Sequence, residues 1–191
     1  MKNCLKMEIS AVSRNEGFAR SAVAAFAASL NPTLAQLSDI KTAVSEAVTN
    51  CIVHAYKNAQ RAEDKILLEC TVSDGTENFG DGAQAELAYA CAQKKVCLNG
   101  REEGWLHITV TDFGCGIENV SKALTPFYTT LQGEERSGMG FTIMQTFMSD
   151  FSVKSERGKG TVVKMSKRFA SPLEEFNALT AEAEGSERLR G

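Results

Sequence analysis

Between residues 40 and 55 the apolar side chains Ile40, Ala43, Val44, Ala47, Val48, Cys51, Ile52 and Ala55 recur at i, i+3, i+4 spacing for about four helical turns. A stripe this long is stable only against a second layer, so it predicts the central helix of a layered fold. Glu46, Asn50 and His54, spaced i, i+4, i+8, form a row on one flank of that helix beside the small residues Ala43 and Ala47. Such a row suits a solvated helix flank. It also suits chemistry, because a carboxylate can act as a general base and an amide oxygen can take one place in a Mg²⁺ octahedron completed by phosphates and waters.

The layer opposite is a sheet. Leu5, Met7 and Ile9 alternate with polar residues, as do Ile66, Leu68, Cys70 and Val72, and then Leu106, Ile108 and Val110. Phe151 and Val153 precede the turn Arg157-Gly158-Lys159-Gly160, and Val163 and Met165 follow it, which predicts a closing hairpin. A first amphipathic helix is expected from Phe18, Ala19, Ala22, Val23, Phe26 and Leu30, opened by Ser13 and Glu16 in capping-box spacing and stopped at Asn31-Pro32. Phe141, Met144, Phe147 and Met148 mark a short helix behind a long, mobile loop from Gly114 to Gly140. Strand, helix, helix, strands, loop, helix and hairpin make an α+β pattern, a mainly antiparallel sheet with helices on one face. Residues 74–104 read as an insertion on a hairpin, and the Glu/Ala/Ser/Arg-rich stretch 169–191 as a solvated tail.

Composition narrows the function classes. At 191 residues one domain with trimmings is expected, large enough to bury a core without metal or disulfide staples. A formal charge of −3 gives no field to draw in nucleic acid or an anionic membrane. No apolar run approaches the ~20 residues needed to span a bilayer. The six cysteines are scattered, with Cys91 and Cys97 the closest pair and no zinc-type partner set, and the start of the chain lacks a secretion-type apolar core. Free thiols in a reducing cytoplasm are expected.

Three further clusters can carry chemistry. Asp112-Phe113-Gly114-Cys115-Gly116 follows a strand, where a carboxylate can accept from an exocyclic amine and glycines allow close backbone approach; the same pattern also makes a plain tight turn. Glu135-Arg136-Ser137-Gly138-Met139-Gly140 leads into a helix whose free N–H groups favour anions, with Arg136 a candidate cation at a terminal phosphate; it also reads as a glycine hinge. Gly160-Thr161 opens the last strand.

The joint order of these clusters is more specific than any of them. E-x3-N on a helix, DxGxG after a strand, a long loop closed by GxG at a helix start and GT on a final strand together resemble the Bergerat-fold ATP-binding domain of gyrase-type ATPases, histidine kinases, mismatch-repair ATPases and anti-sigma kinases. The segments NEGFARSAVAAF, IKTAVSEAVTNCIVHAY and ERSGMGFTIMQTFM are closely similar to the anti-sigma kinases of spore-forming bacteria. The likeness covers about residues 1–73 and 105–168, which makes 1–168 the expected kinase domain.

The resemblance implies a cytoplasmic homodimer that binds ATP with Mg²⁺, holds a sporulation sigma factor inactive and phosphorylates a serine of an anti-anti-sigma protein. By motif match, Glu46 falls on the general base and Asn50 on the magnesium ligand. Asp112 falls on the adenine-recognising aspartate, with Gly114 and Gly116 on the glycines that let adenine approach. Gly138 and Gly140 fall on the phosphate-binding glycines, Arg136 on a lid residue near the terminal phosphate and Thr161 on a hydroxyl near adenine. Ala55 departs from a more usual glycine, tightening the helix end. A general stress anti-sigma kinase, with another sigma partner, and a nucleotide-gated sigma-binding module without kinase activity are the alternatives.

Overall fold

The computed structural model describes residues 3–57, 61, 63–73, 104–127 and 138–169. Arg136, Cys91, Cys97, the insertion apart from Gly104 and the tail beyond Phe169 lie outside them. Strands β1 (Asn3–Ser10), β2 (Lys65–Ser73), β3 (Gly104–Asp112), β4 (Asp150–Glu156) and β5 (Gly160–Phe169) form one sheet in the order β1-β2-β3-β5-β4. β1 runs antiparallel to β2 with Met7 opposite Leu68, and β4 antiparallel to β5 with Val153 opposite Val163. Between β3 and β5, His107 Nδ1 meets Ser166 Oγ at 2.9 Å while the Thr161 amide reaches Asp112, the opposed order of another antiparallel pair.

Helices α1 (Arg14–Ala27), α2 (Leu34–Asn50) and α4 (Gly140–Phe147) accompany the sheet, with α2 packed against both α1 and α4. The α2 stripe is buried as its spacing requires: Ile40, Ala43, Val44, Ala47 and Val48 are each fully enclosed. From the sheet come Ile66, Leu68, Leu106, Ile108, Val110 and Met165, and from α4 comes Met144. Lys167 secures the assembly from β5, donating to Asp39 Oδ2 at 2.9 Å on α2 and to the Phe147 carbonyl at 2.6 Å, at the negative end of α4.

Three sequence expectations are corrected. Ser13 does not form a capping box: its backbone is already helical, and Glu16 instead receives Arg20 Nη1 at 3.1 Å and the Ser45 hydroxyl. The capping box belongs to α2, where Thr33 Oγ1 accepts the Gln36 amide and Gln36 Oε1 accepts the Thr33 amide. The buried stripe of α1 is made of small residues, Ala19, Val23, Ala24 and Ala27, which leaves Phe18 60% exposed. The stretch after Gly114 is not all loop, since Val120–Ala123 forms a short helix, α3, capped by Asn119 Oδ1 accepting from the Lys122 amide.

Among the described residues no helix is long and apolar enough to cross a membrane. Cys4, Cys51, Cys70 and Cys115 are all free thiols, as expected. Truncation of Leu106, fully buried in the central strand, removes contacts that its neighbours cannot replace. Leu106→Ala is expected to cost about 2–5 kcal/mol in chemical denaturation, and a loss under about 1 kcal/mol would contradict this placement of the core.

Candidate nucleotide site

The end of α2 decides where the site lies. After Asn50 the helix widens to a π-helical turn, Cys51–Ala55, closed by the Tyr56 amide donating to the Cys51 carbonyl at 3.1 Å. The added residue per turn corrects the expected row: Glu46 and Asn50 keep their i, i+4 alignment, whereas His54 sits in the π turn and leaves the line. The His54 carbonyl accepts from the Cys115 thiol at 3.2 Å.

Glu46 and Asn50 face the start of α4. A Cβ on Gly140 would lie 3.0 Å from Glu46 Oε2 and 3.2–3.4 Å from the Asn50 amide atoms, so this helix start rests directly on both side chains. Gly138, two residues before, holds a left-handed φ of 63° that turns the chain into the helix. Carboxylate, amide oxygen and helix N-terminus therefore meet, and Arg136, expected beside them, lies outside the described residues. An oxygen-donor pair next to free helical N–H groups fits Mg²⁺, which takes one or two protein oxygens and completes its shell with phosphate and water.

A second group gathers at the exit of β3. Asp112 is 3% exposed. Its Oδ1 accepts the Gly114 amide at 2.9 Å and the Thr161 amide at 3.2 Å, with the Cys51 thiol and the Thr161 hydroxyl close to the same carboxylate. Burial pushes the Asp112 carboxyl above the usual carboxylate range, and the amide and side-chain hydrogen bonds pull partly the other way. Thr161 Oγ1 also meets Ser155 Oγ at 2.9 Å, and Ser155 accepts the Ile117 amide at 2.8 Å and donates to the Gly160 carbonyl. Thus Asp112, Gly114 and Thr161 come together, and Glu46, Asn50 and Gly140 come together. The π turn after Asn50 meets the loop after Asp112 at Ala55 and Tyr56, which joins the two groups.

The glycines of the DxGxG loop have internal reasons to be glycine. A Cβ on Gly114 would stand 2.5 Å from the Ala55 carbonyl oxygen and 2.7 Å from Ala55 Cβ, so Ala55 makes this seam tight. Gly116, at φ 67°, would meet the Glu156 carbonyl oxygen at 2.1 Å. Three contributors are missed by sequence reasoning. Cys51 reads as one more apolar position. Tyr56 donates to the Lys65 carbonyl and accepts the Phe113 amide at 2.9 Å, which ties the loop to the helix end. Ser155 has no signal beyond its place opposite Thr161 in the hairpin. A cleft of about 450 Å³ beside Tyr56, Lys57, Asp64 and Phe113 touches Gly114 of the second group but none of Glu46, Asn50, Asp112, Gly140 or Thr161.

Two predictions follow from this packing. Gly114→Ala, at ordinary φ, isolates the cost of the clash with Ala55 and is expected to destabilise by about 1–3 kcal/mol in denaturant titration; unchanged stability would contradict the seam. For Asp112 the sign is set by its raised pKa. The native state holds the proton to higher pH than the unfolded chain does, so stability is greatest with Asp112 protonated and falls as pH rises through the raised value. Asp112→Asn, without the charge, should therefore melt above wild type at pH 7, with the gap closing in acid. A lower Tm at pH 7 would contradict the assignment of burial as the dominant influence.

The chain matches the histidine kinase-like ATPase domain family over residues 9–167. An anti-sigma F factor of Caldanaerobacter subterraneus subsp. tengcongensis is 45% identical over 165 residues, 86% of this chain and 93% of the relative. Anti-sigma F factors of Thermoanaerobacter sp. (strain X514) and Clostridium botulinum (strain Eklund 17B) are 43% and 42% identical over 88% of this chain and 96% of each relative. Fold, domain match and identity over nearly the whole length of these relatives agree, and the chain belongs to the anti-sigma F factor family, built on a histidine kinase-like ATPase domain.

Proposed function

We propose that this protein is a nucleotide-dependent anti-sigma factor and a protein serine kinase. In this reading it holds a sporulation sigma factor inactive as a homodimer, and uses ATP with Mg²⁺ to phosphorylate a serine of its anti-anti-sigma antagonist. Residues 1–168 form the kinase domain. The observation that carries the reading is the meeting of Glu46 and Asn50 with the start of α4, on the same helix whose π turn bonds the loop that follows Asp112. Base, metal ligand, phosphate cradle and purine acceptor then belong to one continuous surface.

Each residue has a task that its surroundings suit. Asp112 accepts from the adenine amine and Thr161 lines the same edge. Gly114 and Gly116 keep the loop backbone low enough for a flat base to approach. The N–H groups from Gly138 to Gly140 and the positive end of α4 hold phosphate oxygens, and the motif match gives Arg136 the role of cation for the terminal one. Asn50 would hold Mg²⁺, which would neutralise phosphate charge there. Glu46 takes the proton of the incoming serine hydroxyl as its oxygen bonds to the γ-phosphorus, while the bond to the β-phosphate oxygen breaks and ADP departs. Phosphoryl transfer needs positioning and charge neutralisation more than covalent help, so this set suffices.

The direct test incubates the protein with ATP, Mg²⁺ and a candidate anti-anti-sigma protein and looks for phosphoserine on the latter; its absence with every such partner would remove the kinase reading. Glu46→Gln keeps size and polarity but removes the proton acceptor. Serine phosphorylation should then fall roughly 10²–10⁴-fold with nucleotide affinity little changed. Near-normal phosphorylation would sink the base assignment, and joint loss of phosphorylation and binding would make Glu46 structural. Asp112→Asn should weaken ATP and ADP together, by a few kcal/mol at most, because the amide is the poorer acceptor and can present a donor to the adenine amine. Unaltered nucleotide affinity in the folded variant would move purine recognition elsewhere.

A further inference from the structure

Ser155 stands on β4 directly opposite Thr161 on β5. Its hydroxyl meets three groups around the candidate purine edge: the Ile117 amide donates to it at 2.8 Å, it donates to the Gly160 carbonyl at 2.9 Å, and Thr161 Oγ1 lies 2.9 Å away. Ile117 directly follows the DxGxG loop. Gly160, at φ 100°, is pressed against β3, where a Cβ would meet the Asp112 carbonyl oxygen at 2.1 Å. A count of protons sets the direction of these bonds. An amide only donates and a carbonyl only accepts, so Ser155 receives from Ile117 and places its single proton on Gly160. The contact with Thr161 then uses the Thr161 proton, since two hydroxyl oxygens at this distance with no proton between them repel.

We propose that Ser155 is a positioning residue for purine recognition: by accepting the Thr161 hydroxyl proton it leaves Asp112 and Thr161 as two acceptors on one edge, which selects an aminopurine nucleotide over an oxopurine one. The inference rests on the reading of Asp112 as the purine acceptor.

The Thr161 amide donates to Asp112 Oδ1 at 3.2 Å, which brings the hydroxyl of the same residue to that carboxylate. Both residues are buried, so an acceptor left without a donor there is costly. An exocyclic amine carries two protons and can serve two acceptors. An oxo group carries none and would face lone pairs only, the kind of mismatch that gives strong rejection. Without Ser155 the Thr161 hydroxyl is free to rotate. Its proton can then turn onto the Asp112 carboxylate, where it competes with the amine, or toward an oxo group, which gains the donor it lacked. A threonine at 155 keeps the hydroxyl that prevents both.

The experiment measures ATP and GTP affinity by calorimetry on the full chain, with thermal unfolding recorded for each variant. Ser155→Ala is expected to weaken ATP roughly tenfold with little loss for GTP, narrowing the ATP-to-GTP ratio, and Ser155→Thr to recover most of that ratio. Ser155→Cys fills the same space with a weak acceptor and should narrow the ratio too, which keeps the test open if the alanine variant unfolds. In a Thr161→Val background no hydroxyl proton remains to be directed, so Ser155→Ala should change the ratio by less than about twofold. An unchanged ratio in the folded Ser155 variants would overturn the proposal, whether ATP and GTP keep their affinity or lose it equally, the latter being the signature of a packing defect. So would a narrowing that persists in full in the Thr161→Val background. Wild-type ATP affinity in Asp112→Asn alone would overturn the underlying reading of Asp112, an outcome distinct from failure of the Ser155 variants.

Discussion

The loop after β3 is clasped by backbone on both sides. On one side the Cys115 amide donates to the Ala55 carbonyl at 3.1 Å, at the end of the π turn; on the other the Gly158 amide donates to the Cys115 carbonyl at 2.8 Å, from the β4–β5 turn. No side chain at 114 or 116 would fit inside this clasp, since its first carbon would overlap Ala55 or Glu156. Helix end, central strand and closing hairpin are thereby held in one register, and the site residues of each are fixed with them. The apolar stripe of α2 supplies most of the burial, but burial is non-directional and would tolerate a helix shifted along the sheet. The clasp removes that freedom.

What the clasp presents is a charge in an unfavourable place. Asp112 is enclosed, and its hydrogen bonds only partly offset desolvation, so folding alone would favour a neutral side chain there. A buried acceptor with a raised pKa and convergent donors is more typical of a recognition site than of a core. The same applies to α4, whose first residue rests on Glu46 and Asn50 where a core would place an apolar side chain. Stability given up at these points is supplied by ordinary packing elsewhere, in the enclosed Ile, Leu and Val residues of α2, β2 and β3.

Much of this is legible in the sequence, for reasons that differ by element. Period-two alternation in β1, β2 and β3 and the stripe of α2 are set by burial, which acts on each residue independently, so pattern reveals them. The order of Glu46, Asn50, Asp112, Gly138, Gly140 and Thr161 is readable as a succession of motifs, and their gathering into two groups is a property of the fold. The π turn is not legible: nothing in Cys-Ile-Val-His-Ala distinguishes it from α-helix, because the widening answers to the Ala55–Gly114 and Ala55–Cys115 contacts, which join residues far apart in the chain. Tyr56 escapes for the same reason, its hydroxyl being used by a distant loop. The capping box is misplaced because Ser13 and Thr33 both have suitable spacing, and only backbone conformation decides between them.

The central claim is that α2 registers one nucleotide site, with the purine at Asp112 and the phosphates at the start of α4. A crystal structure with a non-hydrolysable ATP analogue and Mg²⁺ tests it most directly. The account predicts the exocyclic amine within about 3 Å of the Asp112 carboxylate, the metal on Asn50 and phosphate oxygens on the amides between Gly138 and Gly140. A purine seated elsewhere, for instance in the cleft beside Tyr56 and Phe113, with Asp112 still buried against Cys51 and Thr161, would contradict it.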